Sequence, residues 1–287
     1  MSLIRIAAVF AILGLAATSA AMAPARGEPA RDADAASPWV ELHASRARLV
    51  TGNTTKSGST RLAGLEIAME DGWKTYWRVP GDAGVPPQFD WSGSTNVASI
   101  KVLYPAPTRM AEAGGEVIGY KHAVLFPFEV TPRDAAKPVT LKLALEFGIC
   151  RDICVPATAH LQTRLPPDDK GDHSAAIEAA MGRVPRPSSA RRPADPELRQ
   201  VTVSNGEARP RLHIAAAFPG GKGADVFVEA PDGLYVPLPR RQGQDADGVV
   251  RFASDLPGNL ARDLRGKTLT ITLVSETGAT EAQWRFP

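Results

Sequence analysis

VTLKLALEFGICRDICVP, residues 139–156, decides how the chain is read. Val139, Leu141, Leu143, Leu145, Phe147 and Ile149 share one parity, while Thr140, Lys142, Ala144, Glu146, Gly148 and Cys150 share the other. In a strand these sets face opposite sides. Cys150 is therefore expected on the face away from the core, beside Gly148, which has no side chain to cover it, with its thiol open to approach. Arg151 and Asp152 can turn the chain, and Ile153, Cys154 and Val155 would begin a return strand stopped by Pro156. Pairing across that turn could bring the two Cβ atoms within reach of a disulfide. A helix with cysteines at i and i+4 is opposed by the long alternating lead-in and by Pro156.

The same period continues outward. VELHASRARLV, RLAGLEIAM, ASIKVLY and AVLFPFEV alternate as the quoted stretch does, so residues 38–166 are expected to form an antiparallel β-sandwich. Two long Pro/Gly-rich connections interrupt it, WRVPGDAGVPPQFDWSGS and YPAPTRMAEAGGEVIGY, and loops of that length tend to be functional. Residues 167–197 read as a linker with one short helix near 174–182. Beyond it RLHIAAAF, ADVFVEA, VVRFAS, KTLTITLVS and AQWRF alternate again, which predicts a second, smaller β-domain over 198–287.

MSLIRIAAVFAILGLAATSAAMA has the parts of a secretory signal: Arg5, an apolar run from Ile6 to Ala17, then small residues up to Ala23. Residues 1–23 are expected to be removed on export to the periplasm, and residues 24–37 to form a disordered lead. The apolar run is shorter than the roughly 20 residues a bilayer span needs, so no stable membrane insertion is expected after signal removal. Thirty-three basic against 31 acidic residues leave a net charge of +2, without a basic stripe interleaved with aromatics. That pattern argues against a nucleic-acid partner. No Ser/His/Asp grouping or phosphate loop stands at usable spacing, which leaves hydrolase and kinase readings without support.

Cys150 and Cys154 are the two cysteines of a 287-residue chain. Three readings of the pair stand open on sequence. In an exported protein, neighbouring cysteines usually oxidise to an inert staple. A loop this short, however, removes only about 2 kcal/mol of unfolded-state entropy, which makes a poor staple and puts a reactive couple level with it. A soft copper site could use two thiolates, but zinc would want further ligands, and His43, His122, His160, His173 and His213 form no spaced cluster. No cofactor is implied by the residues.

The motifs DGWKTYWRVPGDAGVPPQFDWSGSTNV, YPAPTRM, IGY and FGICRDICVPA follow one another in an order that resembles the N-terminal periplasmic domain of DsbD-type protein-disulfide reductases, and more particularly the ScsB-like branch. The resemblance covers about residues 38–166, and the two-domain β layout through 287 is similar to the periplasmic region of that branch. It implies an immunoglobulin-like sandwich whose cysteine pair takes electrons from a membrane-embedded DsbD/CcdA-like donor and passes them to periplasmic thioredoxin-like proteins. By that resemblance Cys150 and Cys154 carry the exchange, with copper tolerance or cytochrome c maturation as downstream needs. The membrane domain and thioredoxin module of the complete enzyme are not found here, so a separate donor is expected. The alternative is a non-catalytic module that binds a partner or copper and holds a structural disulfide.

Around the couple, the loop from Val79 to Pro87, in particular Pro80, Gly81 and Asp82, is a candidate cap or partner-binding element, with Tyr120, Phe147 and Pro156 as further candidates. Trp73, Tyr76, Trp77, Phe89 and Trp91 are expected chiefly to pack the core. Arg151 would favour a thiolate and Asp152 oppose it, so their local effect nearly cancels.

Overall fold

The computed structural model describes residues 36–55, 60–112, 115–167, 171–204, 209–220 and 222–287. The expected signal and most of the lead behind it lie outside the described residues. Ala36 bridges Val50, and the buried Ser37 accepts a hydrogen bond from the Leu49 amide on its Oγ.

Eleven strands build the first sandwich: β1 (Val40–Leu42), β2 (Ser45–Thr54), β3 (Arg61–Met69), β4 (Lys74–Gly81), β5 (Gln88–Asp90), β6 (Val97–Val102), β7 (Thr108–Glu112), β8 (Gly115–Lys121), β9 (Ala123–Pro132), β10 (Val139–Cys150) and β11 (Cys154–Leu165). One sheet runs β1-β2-β3-β9-β6, and the other β11-β10-β4-β8-β7 with β5 beside β10. In β10 the predicted set from Val139 to Ile149 is buried and Lys142 and Glu146 are exposed, as period two requires. β10 and β11 pair antiparallel without a bulge from Val139↔Leu165 to Cys150↔Cys154. Across the core Phe89 meets Phe126 and Phe128 edge to face, at ring-centroid distances of 6.1 Å each. Of the aromatics expected to pack the core, Trp73 and Trp77 are buried in it and Phe89 and Trp91 pack against it.

Helix α1 (Ser174–Gly182) lies on this sandwich. Its buried Ile177 fits against Gly52, where an added Cβ would come within 2.8 Å of Ile177 Cδ1. The second body follows with β12 (Arg186–Pro187), β13 (Glu197–Ser204), β14 (Arg211–Ala217), β15 (Asp225–Glu229), β16 (Arg240–Gln244), β17 (Val249–Asp255), the short helix α2 (Leu260–Asp263), β18 (Thr268–Ser275) and β19 (Gly278–Arg285). Its sheets run β12-β19-β18-β15 and β13-β14-β17-β16. They enclose a separate apolar core containing Leu212, Ile214, Phe252, Leu269 and Ile271. Among the described residues no helix is long and apolar enough to cross a membrane.

Candidate functional site

The site is the end of the β10–β11 hairpin. Cys150 and Cys154 stand directly opposite in register with Cα atoms 4.2 Å apart, and they are joined by a disulfide. A three-residue turn, Arg151 to Ile153, closes the hairpin, with the Arg151 amide donating to the Ile153 carbonyl at 3.2 Å. Arg151 and Asp152 pair with each other at 3.1 Å in solvent, consistent with cancelling effects on the sulfurs.

The two sulfurs differ in access. Cys150 does lie on the face away from the main core, but it is only 1% exposed, because Tyr76 of β4, Met110 of β7 and Val117 of β8 close around it. The expectation that its thiol would be open is therefore corrected. The parity was right, and a second apolar layer, supplied by strands distant in sequence, covers the outer face. Cys154 is exposed.

Tyr76 is one of the aromatics expected chiefly to pack the core, and it does more. It is fully buried, and its hydroxyl donates to Cys150 Sγ at 2.6 Å and lies 3.1 Å from Cys154 Sγ. Burial, with the charge of Glu112 as a smaller contribution, pushes its pKa up to about 12, so the phenol keeps its proton at any physiological pH. A neutral disulfide sulfur is a weak acceptor and a thiolate a strong one. The same hydroxyl therefore binds the reduced, ionised couple better than the oxidised one. Beneath it Lys74, in register with Cys150, pairs with Glu112 and donates to the Arg151 carbonyl at 3.2 Å.

The predicted cap residues divide into two groups. Gly81 holds φ +89° and pairs with Val117, and a Cβ there would strike the Glu116 carbonyl at 2.5 Å. Asp82 exchanges backbone and side-chain hydrogen bonds with Glu116, each at 2.9 Å, and accepts one from the Tyr235 hydroxyl at 2.6 Å. These bonds hold its carboxyl below the usual carboxylate range. Further along, Gly84 is pressed between Pro80 and the Tyr76 ring, and Val85 lies over Gly148. The loop thus reaches the shell around Cys150. Pro156 is exposed opposite Gly148.

Tyr120 and Phe147 face the other way. Tyr120 is buried in the main core, its hydroxyl donating to the Pro105 carbonyl at 2.8 Å, and burial raises its pKa well above the ordinary value. Phe147 belongs to the same core. Among the described residues, no three or more His, Cys, Asp or Glu side chains gather as a metal site would need. Large exposed apolar side chains there are Val85, Ile153 and Tyr235: Ile153 sits next to Cys154, and the other two lie on or against the 79–87 loop.

These features define a class: a β-sandwich presenting one asymmetric disulfide, half exposed and half buried under a tyrosine, at the tip of a hairpin. Residues 46–166 match the family described as the N-terminal domain of the thiol:disulfide interchange protein DsbD. The immunoglobulin-like fold implied by the sequence motifs is the fold observed. The structure is similar to the N-terminal periplasmic domain of ScsB from Proteus mirabilis, with a TM-score of 0.67 and 20% identity over 88% of this chain and 98% of that one. A marsupial T cell receptor aligns over 88% of this chain and 97% of its own at 10% identity, with a TM-score of 0.23. No curated protein matches the chain.

Proposed function

We propose that the chain is a periplasmic thiol–disulfide exchange protein. In this reading it takes two electrons from a separate membrane-embedded DsbD/CcdA-like reductase and delivers them to thioredoxin-like or other disulfide-bearing partners. The observation that carries the reading is the unequal exposure of two bonded sulfurs that share one buried hydroxyl donor.

Exposure supports giving Cys154 the attacking role and Cys150 the resolving one. In the reduced protein the Cys154 thiolate attacks one sulfur of a partner's disulfide. A Cys154–partner bond forms, the partner's bond breaks, and its other sulfur leaves as a thiolate. The Cys150 thiolate, formed when its proton passes to solvent and held by the Tyr76 hydroxyl, then attacks Cys154 Sγ. The partner's remaining sulfur leaves, so the partner is reduced by two electrons and the Cys150–Cys154 bond is restored. A dithiol donor runs the same steps in reverse to recharge the couple. Ile153 and Val85 give the partner an apolar rim beside the attacking sulfur.

The test is trapping. Cys150→Ser should accumulate a mixed disulfide through Cys154 with a thioredoxin-like partner, while Cys154→Ser should accumulate far less. Equal trapping by both variants, or none by either, would count against the assignment.

A further inference from the structure

The contacts of the second sandwich converge on the strands that enclose Cys150. In β15, Val226 and Val228 point into their own core, while Asp225, Phe227 and Glu229 share the opposite parity and meet the first sandwich. Asp225 binds Arg109 of β7, at 2.7 Å to Nη2. Phe227 packs on Trp77 of β4 at 5.6 Å between ring centroids. Glu229 binds Arg78 of β4 at 2.7 Å, and Glu281 of β19 pairs with the same guanidinium. Arg109 also donates to the Pro239 carbonyl at 3.0 Å, and Tyr235 binds Asp82. Arg109 and Met110 are neighbours on β7, Arg78 lies two residues from Tyr76 on β4, and Asp82 begins the loop whose Gly84 and Val85 cover Tyr76 and Gly148. Every element that shields Cys150 is thus tied directly or through Glu116 to the second body.

We infer that the second sandwich is a clamp on the redox site: it pins β4, the β7–β8 hairpin and the 79–87 loop, and so sets how often Cys150 becomes accessible. Tyr235 and Arg109 are positioning residues in this scheme, acting on the couple through Asp82 and through Met110 and Val117. A chain that must keep its electrons from small oxidants gains from a cover that a docking partner can displace, and anchoring that cover on a second body makes its release dependent on the interface. The inference takes its purpose from the exchange reading above, but its test needs no partner.

The experiment uses the full chain carrying Cys154→Ser, so that Cys150 is its single thiol, and follows alkylation by iodoacetamide under native conditions. Tyr235→Phe and Arg109→Gln should each speed alkylation about three- to tenfold, as expected for losing one charge-assisted hydrogen bond that holds a closed state. The double variant should be faster than either. Hydrogen exchange should accelerate at Val117 to Gly119 while Leu141 to Leu145 of β10 stay protected. An unchanged alkylation rate in the double variant, or acceleration matched by equal loss of protection along β10, would overturn the clamp. Because Tyr235→Phe is a conservative change at an exposed side chain, it keeps the test informative if Arg109→Gln fails to fold. Loss of partner trapping with the clamp result intact would instead remove only the exchange reading.

Discussion

At the scale of single residues, the difference between a staple and a working couple rests on Tyr76. Its hydroxyl touches both sulfurs, and with its pKa pushed up to about 12 it keeps the proton it can donate to a thiolate. Removing it should therefore harm the thiolate more than the disulfide. Tyr76→Phe is predicted to move the Cys150 thiol titration up by about one pH unit, the equivalent of about 1.4 kcal/mol for a hydrogen bond to a charged acceptor. Thiolate absorbance against pH in the Cys154→Ser background reads this directly, and an unmoved titration would reduce Tyr76 to packing. The sequence hides this role because Lys74 through Trp77 are all buried, so β4 shows no alternation to say which side chain faces which layer. Cys150 is the opposite case. Its face was legible from parity in β10, and its cover was not, since Met110 and Val117 come from strands some 30 to 40 residues away.

At the scale of elements, the β10–β11 hairpin was the most legible part of the chain, because one strand with a buried and a wet edge pattern writes its register into the sequence. The expected loop from Val79 to Pro87 starts later than the sequence suggested, because Val79, Pro80 and Gly81 continue β4; Gly81 pairs with Val117 of the Cys150 shell and Asp82 with the neighbouring Glu116. Tyr120 and Phe147 point into the core instead, and for Phe147 the β10 alternation already said so. Two glycines set how closely these elements approach. At Gly119 a Cβ would lie 2.0 Å from the Thr75 carbonyl, backbone that cannot give, so Gly119→Ala is expected to destabilise the fold by about 2–3 kcal/mol or more in urea titrations. At Gly148 the Cβ would meet Val85 Cβ at 2.9 Å, on an exposed loop side chain that can move, and the Tyr76 ring at 3.2 Å, which need give by only a few tenths of an ångström. Gly148→Ala should cost little stability and speed Cys150 alkylation; a large stability loss with no gain in alkylation would show the loop to be rigid. Ile153→Asp, at the exposed hairpin tip, should lower kcat/KM toward a protein disulfide while leaving the reduction potential of the couple in place.

At the scale of the whole molecule, repeated alternation and turn signals pointed to β-structure on both sides of residues 167–197, but nothing in them pointed to the contacts between the two sets of sheets. The Asp225–Phe227–Glu229 face looks like the wet edge of an ordinary strand, and only the fold brings it to Arg109, Trp77 and Arg78. Within the second body Asp195 is fully buried beside Gly278. Burial opposes its ionisation, but hydrogen bonds from Arg192 and the charge of Arg186 outweigh that and hold its carboxyl below the usual range. A depressed folded-state pKa stabilises above the unfolded value of about 4 and is lost as pH falls through the folded one. Asp195→Asn should therefore destabilise the chain at pH 7 by an amount that shrinks below about pH 4, as urea melts at the two pH values would show. Electron exchange at Cys150–Cys154 would be read from the reduction potential of the pair in the purified chain, equilibrated against glutathione or dithiothreitol buffers and followed by thiol alkylation. A value of about −180 to −270 mV, the range of exchange proteins, is predicted. A value below about −300 mV, that of a bond the redox pool scarcely touches, would contradict thiol exchange and leave a stapled binding module.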